Sequence, residues 1–62
     1  MAEYRLYQLD AAEHIVAGFS VHCISDRAAL AAARRLAQRA AAVEVWQNTR
    51  CLGSVRNSAG GT

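Results

Sequence analysis

The sequence predicts a small α+β domain of order β-β-α-β-β, a four-stranded, mainly antiparallel sheet with one helix packed on one face. Three observations predict this class. Two β-rich segments come first, an alanine-rich amphipathic segment follows at 25–41, and a second hairpin pattern ends near residue 56. With 62 residues the chain has room for a single domain, which we place at residues 1–56.

The first two strands are predicted from the alternation of apolar and polar residues. YRLYQL at 4–9 alternates as a strand does, and DAAEH at 10–14 is small and polar, as hairpin loops are. IVAGFSVHCI at 15–24 is rich in β-branched residues and apolar at every odd position. We expect a strand with one core face and one mixed face, and Gly18 as the place where a bulge could exchange the two.

The helix is the clearest element of the sequence. SDRAALAAARRLAQRAA, at 25–41, is helical by propensity and by pattern, and either Ser25 or Asp26 can cap its first turn. One side is apolar and mostly alanine, so the helix can pack closely on a sheet. That side comprises Ala29, Leu30, Ala32, Ala33, Leu36, Ala37 and Ala40.

Two further strands, at 43–47 and 51–56, are predicted to close the domain. The turn between them contains Asn48, which tolerates the positive φ that tight hairpin turns require. The tail at 57–62 is small and polar, and we predict that it is disordered.

Two registers of this hairpin fit the sequence. A two-residue turn pairs Trp46 with Cys51, whereas a three-residue turn pairs Trp46 with Leu52 and sets Val43 near Val55. In both, Trp46 and Val43 lie on opposite faces of the sheet. Because small β-branched valines suit contact with an alanine-lined helix, we expect Trp46 on the face that the helix leaves uncovered.

Large apolar side chains are therefore predicted on both faces, although one helix, about 10 Å across, covers only one of them. Contiguous exposed apolar surface usually marks an interface. We expect a homodimer, formed by the uncovered sheet face or by an edge strand. The alternative is that the tail and the stems of Arg5 and Arg50 cover these side chains. The candidate interface residues are Tyr7, Leu9, Val16, Trp46 and Leu52.

The composition argues against a membrane or secreted protein. No stretch approaches the roughly 20 apolar residues that cross a bilayer. No secretory signal precedes Cys23 and Cys51, so we expect a cytoplasmic protein with reduced thiols.

No motif predicts a metal site, a cofactor or catalysis. A triad of a cysteine, a histidine and Asp10 or Glu13 has no support in the spacing, and no phosphate-binding glycine loop occurs. We therefore predict a non-enzymatic domain that acts through protein contact. The potential metal ligands lack the spacing of a zinc site; they are Cys23, Cys51, His14 and His22.

Binding of nucleic acid is the alternative function. All seven basic residues are arginine, which reflects either GC-rich codons or a use of guanidinium forks on phosphates. Trp46 and Tyr7 could stack bases on the open sheet. The net charge of only +2 and the lack of interleaved aromatics favour a solvated helix face instead. The arginines in question are Arg27, Arg34, Arg35 and Arg39.

With these pieces in view, the chain resembles a group of small bacterial proteins of unknown function. Their pattern is a YRLY-F/Q-LD opening, a GHI-like second strand, a D-x-x-A-x-x-x-A helix and an E-V/L-W hairpin. The resemblance implies the β-β-α-β-β fold and no established activity. The matching segments are Tyr4–Asp10, His14–Val16, Asp26–Leu36 and Glu44–Trp46.

A fainter similarity is to HicB-type antitoxins, whose amino-terminal domain also runs strand, strand, helix, strand. Such antitoxins bind a small toxin, and some bind DNA. This sequence lacks the proline-and-glycine segment of their second strand and shows no separate DNA-binding region. The similarity implies an antitoxin-like regulatory role as part of the alternative function.

Overall fold

A computed structural model describes residues 1–57 and contains one four-stranded sheet and one α-helix. The predicted α+β class and the β-β-α-β-β order are confirmed. The predicted tail lies outside the described residues from 58 onward, whereas the Asn57 N–H donates to the Ala41 carbonyl at 3.0 Å. The elements are β1 (Ala2–Leu9), β2 (Ile15–Cys23), α1 (Asp26–Leu36), a 3-10 turn (Ala37–Arg39), β3 (Ala42–Gln47) and β4 (Arg50–Arg56).

The strands lie in the order β2-β1-β3-β4, and each neighbouring pair is antiparallel. β1 and β3 are therefore the central strands, and β2 and β4 form the two edges. Because β2 and β3 both run opposite to β1, they are parallel to each other. The chain passes from one to the other through α1, which lies across one face of the sheet.

The helix packs on the sheet through its alanine side, as predicted. Ser25 caps it, since its hydroxyl oxygen accepts a hydrogen bond from the Ala28 N–H at 3.2 Å. Ala29 and Ala33 are fully buried against Val43 and Val45, which are fully buried too. Alanines let the helix backbone approach the sheet closely, so small side chains suffice to exclude water here.

The α-helix ends at Leu36, before the predicted end at 41. A single 3-10 turn follows, and Ala40 is already extended. The N–H of Ala41 then donates to the Leu9 carbonyl at 3.2 Å, which brings the chain into the sheet next to β1. Pairing with the sheet therefore overrides the helical propensity of the last alanines.

Two irregularities shape the edge strands. Along β2 the register passes from Gln8 opposite Ala17 to Leu9 opposite Ile15, so the extra residue is Val16. The predicted bulge at Gly18 is wrong, because that residue pairs regularly with Tyr7.

In the closing hairpin, Trp46 pairs with Cys51, as in the predicted two-residue turn, and Asn48 has φ 55°. The register then shifts by the extra residue Leu52, and Val43 comes opposite Val55, as in the other predicted register. Each predicted register is thus correct for one end of the hairpin. Gly53, directly after the extra residue, has φ 146°, which is strained for any residue with a side chain.

Candidate interaction surfaces

Trp46 lies on the sheet face opposite α1, which we call the open face. It pairs with Arg5 on one side and Cys51 on the other, whereas Val45, its neighbour in sequence, is fully buried under the helix. The predicted orientation of Trp46 is therefore confirmed. The indole is half-buried, and its Nε1–H donates to Glu44 Oε1 at 3.2 Å.

Tyr7 also lies on the open face, where its ring crosses Gly18 of the neighbouring strand. A Cβ at position 18 would stand 3.3 Å from Cδ1 and 3.4 Å from Cε1 of Tyr7. Because Gly18 has no side chain, the Tyr7 ring can lie over it. Tyr7 is half-buried as a result, without help from a second molecule.

Polar and charged residues also lie on the open face. Glu3 pairs with His22, and Arg5 with Ser20, on the β1–β2 side. Glu44 pairs with Ser54 on the β3–β4 side. The two aromatic residues therefore have charged cross-strand neighbours on the open face, Glu44 beside Tyr7 and Arg5 beside Trp46.

Two of the five predicted interface residues are not freely exposed, since Leu9 is buried and Leu52 is partly buried. Leu9 is only 6% exposed. Leu52 packs against the buried cluster between helix and sheet, because the register shift moves it off the open face. Val16, in contrast, is 62% exposed and remains available for contact.

The exposed large apolar side chains concentrate on β2. Ile15 and Phe19, within the strand, are 60% and 45% exposed, and Ile24, directly after it, is 83% exposed. Together with Val16 they make β2 the strand that leaves the most apolar surface uncovered in residues 1–57. We call this strand, with its unpaired outer edge, the β2 edge.

A groove of about 600 Å³ lies between the β2 edge and the carboxyl-terminal half of α1. Apolar side chains from the sheet and the helix form its floor, and polar side chains of the helix and the 3-10 turn stand at its rim. The lining residues are Leu6, Phe19, Ser20, Val21, Ala32, Arg35, Leu36, Gln38 and Arg39. We call it the helix groove.

The four arginines of α1 and the 3-10 turn differ in their relation to the helix groove. Arg35 and Arg39 line the helix groove, whereas Arg27 and Arg34 do not. All four are exposed.

One polar cluster joins the amino terminus of α1 to the sheet. The Tyr4 hydroxyl donates to Asp26 at 2.6 Å, and Arg50 forms an ion pair with the same carboxylate at 3.3 Å and donates to Gln47. The Tyr4 hydrogen bond, followed by the positive charge of Arg50, holds the pKa of Asp26 below its ordinary 3.8. The same hydrogen bond raises the pKa of Tyr4 above 10.0. Sequence reasoning missed this cluster because its members are far apart in the chain.

The cysteines and histidines are not brought together. Cys23 and Cys51 are free thiols, one packed against the buried cluster and the other on the open face. His14 lies in the first hairpin loop, 3.8 Å from Asp10, and His22 lies on β2. Within the described residues, no group of three or more potential ligands could hold a metal ion.

No helix in residues 1–57 is long and apolar enough to span a bilayer.

Comparison of the chain with protein-family models, with curated proteins and with solved structures finds no match.

Proposed function

We propose that this chain is a non-enzymatic protein-interaction domain that works as a homodimer, formed when the β2 edges of two copies pair. The observation that carries the proposal is the exposed apolar surface of an unpaired edge strand. A strand edge presents free N–H and C=O groups in a row, and apolar side chains beside it add a hydrophobic contribution to pairing.

The regular part of β2 suits this role. From Ala17 to Cys23 its pairing with β1 shows no shift, so its outer backbone groups form an uninterrupted row. No Asp, Glu, Lys or Arg interrupts the strand. Edge strands that do not pair commonly carry charges, proline or bulges at their centre, and this stretch has none of them.

The other edge is less suited to pairing. β4 begins and ends with arginine, and its register shift at Leu52 lies near its middle. Gly53 adds an unusual backbone conformation at the same place. Both features disturb the row of hydrogen-bonding groups that a second strand requires.

The open face is also less suited. The Tyr7 ring is half-buried over Gly18, and the indole Nε1–H of Trp46 donates to Glu44. A partner would have to desolvate several charged residues around them, which costs free energy unless each is paired. These contacts favour the edge over the face as the place of dimerisation.

Antiparallel pairing of two β2 strands about a two-fold axis would join the two sheets into one. Such an interface is isologous, so each copy supplies the same residues. If the axis lies near the middle of the regular stretch, Ser20 of one copy faces Ser20 of the other or lies diagonal to it. In the cytoplasm, which we propose as the location, Cys23 and Cys51 would stay the free thiols they are.

The experiment compares two charge-adding variants by sedimentation velocity at several tens of micromolar. Ser20→Glu places a carboxylate opposite Arg5, so the single copy keeps a favourable cross-strand pair while two copies repel across the axis. Ser54→Lys is the matched control, an exposed serine on the other edge that lies opposite Glu44.

We expect a dimer for the wild type and for Ser54→Lys, and a monomer with an unchanged circular dichroism spectrum for Ser20→Glu. A monomeric wild type would refute the dimer. A dimer that survives Ser20→Glu and dissociates in Ser54→Lys would move the interface to β4.

A further inference from the structure

The helix groove combines an apolar floor with two positive charges at its rim. Leu6, Val21 and Leu36 supply aliphatic surface, and Phe19, almost half exposed, forms one side. Its volume of about 600 Å³ lies within the roughly 300–1,000 Å³ of small-molecule sites. Water in contact with this floor is released when a hydrocarbon chain replaces it.

The charge of the groove is not balanced by the protein. Among residues 1–57, no carboxylate belongs to its lining. Neither Arg35 nor Arg39 takes part in an ion pair among residues 1–57, in which the arginines that do are Arg50 and Arg56. Two guanidinium groups beside an apolar floor are therefore available to an anion.

We propose that the helix groove binds a single-chain amphiphile with a carboxylate head, the hydrocarbon chain lying on the floor and the carboxylate accepting hydrogen bonds from Arg35 and Arg39. A planar carboxylate matches the guanidinium fork in geometry as well as in charge. Nucleic acid fits less well, because the floor is mainly aliphatic and offers Phe19 alone for base stacking.

This binding does not depend on the proposed dimer. All lining residues come from one copy, and the two arginines belong to the helix and the 3-10 turn rather than to the strand edge. Ser20 itself lines the groove, so the groove is tested in the wild-type background by substitutions of the two arginines, which lie outside the strand edge, and one proposal can fail while the other holds.

Titration calorimetry with sodium dodecanoate, kept below its micellar concentration, measures the binding. In the double variant Arg35→Gln/Arg39→Gln we expect the affinity for dodecanoate to fall at least about tenfold, because one to two charge-assisted hydrogen bonds are lost. Arg27→Gln/Arg34→Gln is the matched control; it removes the same charge from α1 outside the groove and should bind like the wild type. Glutamine resembles arginine in helix propensity, so both variants should stay folded.

Dodecyltrimethylammonium has the same chain and the opposite charge, and we expect it to bind more weakly than dodecanoate. Equal binding of the two amphiphiles, or equal losses in the two double variants, would overturn the proposal. Binding that appears only when the wild-type protein is diluted to the monomer would also overturn it, because a second copy would then be the natural occupant of the groove.

Discussion

The close contact between α1 and the sheet predicts that one extra side chain at its centre is strongly destabilising. Ala33 is fully buried, and the sheet residues beneath the helix, Val43 and Val45, are fully buried as well. Ala33→Leu adds three carbon atoms where no space is left. Ala31→Leu makes the same change at an exposed position of the same helix.

Overpacking of this kind costs about 1–3 kcal/mol. At about 0.05–0.15 kcal/mol per residue, a domain of 62 residues has a total stability of about 3–9 kcal/mol. Ala33→Leu should therefore remove a large fraction of the free energy of unfolding. Ala31→Leu should change it by less than about 0.5 kcal/mol, because leucine and alanine are both good helix formers.

The assay is urea denaturation of the three proteins at one common protein concentration, so that any contribution from dimerisation is equal. We expect the midpoint of Ala33→Leu to fall at an unchanged slope, and that of Ala31→Leu to stay near the wild type. Equal midpoints for both variants would show that the alanine side of α1 is not held tightly on the sheet, and the packing argument would be wrong.

Two further predictions concern polar and aromatic contacts of the sheet. The fold lowers the pKa of Asp26 and raises that of Tyr4, so the hydrogen bond between them stabilises the folded state between about pH 4 and 10. This stabilisation is lost as pH falls through the pKa of Asp26 in the fold, and as pH rises through that of Tyr4. Tyr4→Phe should flatten the urea midpoint against pH at both ends relative to the wild type, and parallel profiles would contradict the Tyr4–Asp26 bond. Because the Tyr7 ring lies over Gly18, its ring current should shift the NMR resonances of the Gly18 α-protons upfield. Tyr7→Leu should return these resonances to ordinary values. Unshifted Gly18 resonances in the wild type would show that the ring lies elsewhere.

Local pattern was sufficient to predict the elements and their faces. The helix is signalled by alanine propensity and a serine cap, and alternation in β1 and β3 separates the buried from the open face. Trp46 could be placed opposite the helix for the same reason, since its neighbours Val43 and Val45 occupy the other side. These features depend on residues that are close in sequence.

The strand order and the register shifts could not be predicted in this way. They depend on which strands meet after the helix, and on single extra residues at Val16 and Leu52. A shift of one residue moves side chains between faces, which is why Leu52 joins the buried cluster rather than Trp46. Gly53, with its positive φ, was the available signal for that shift.

The candidate surface changed for a related reason. The number of apolar residues on each face predicted an exposed apolar open face, but such a count ignores the side-chain contacts between neighbouring strands. Gly18 gives the Tyr7 ring a place to lie, and Glu44 pairs the indole nitrogen. In β2, as in β1, large apolar residues stand at both odd and even positions, so the sequence alone did not show which of the two strands would keep them exposed.

The exposure of the large apolar residues of β2 raises the question of what they contribute. A chain this short has little stability to spare. Fully burying a side chain such as Ile15 or Phe19 contributes about 1.5–3 kcal/mol, yet in the single copy both stay largely or nearly half exposed. Exposed on an edge strand, they add a tendency to associate and little to folding. Residues that bring so little to the fold of one copy support the proposed contact outside it, and this is the physical basis for proposing that the domain acts through β2 and the groove beside it.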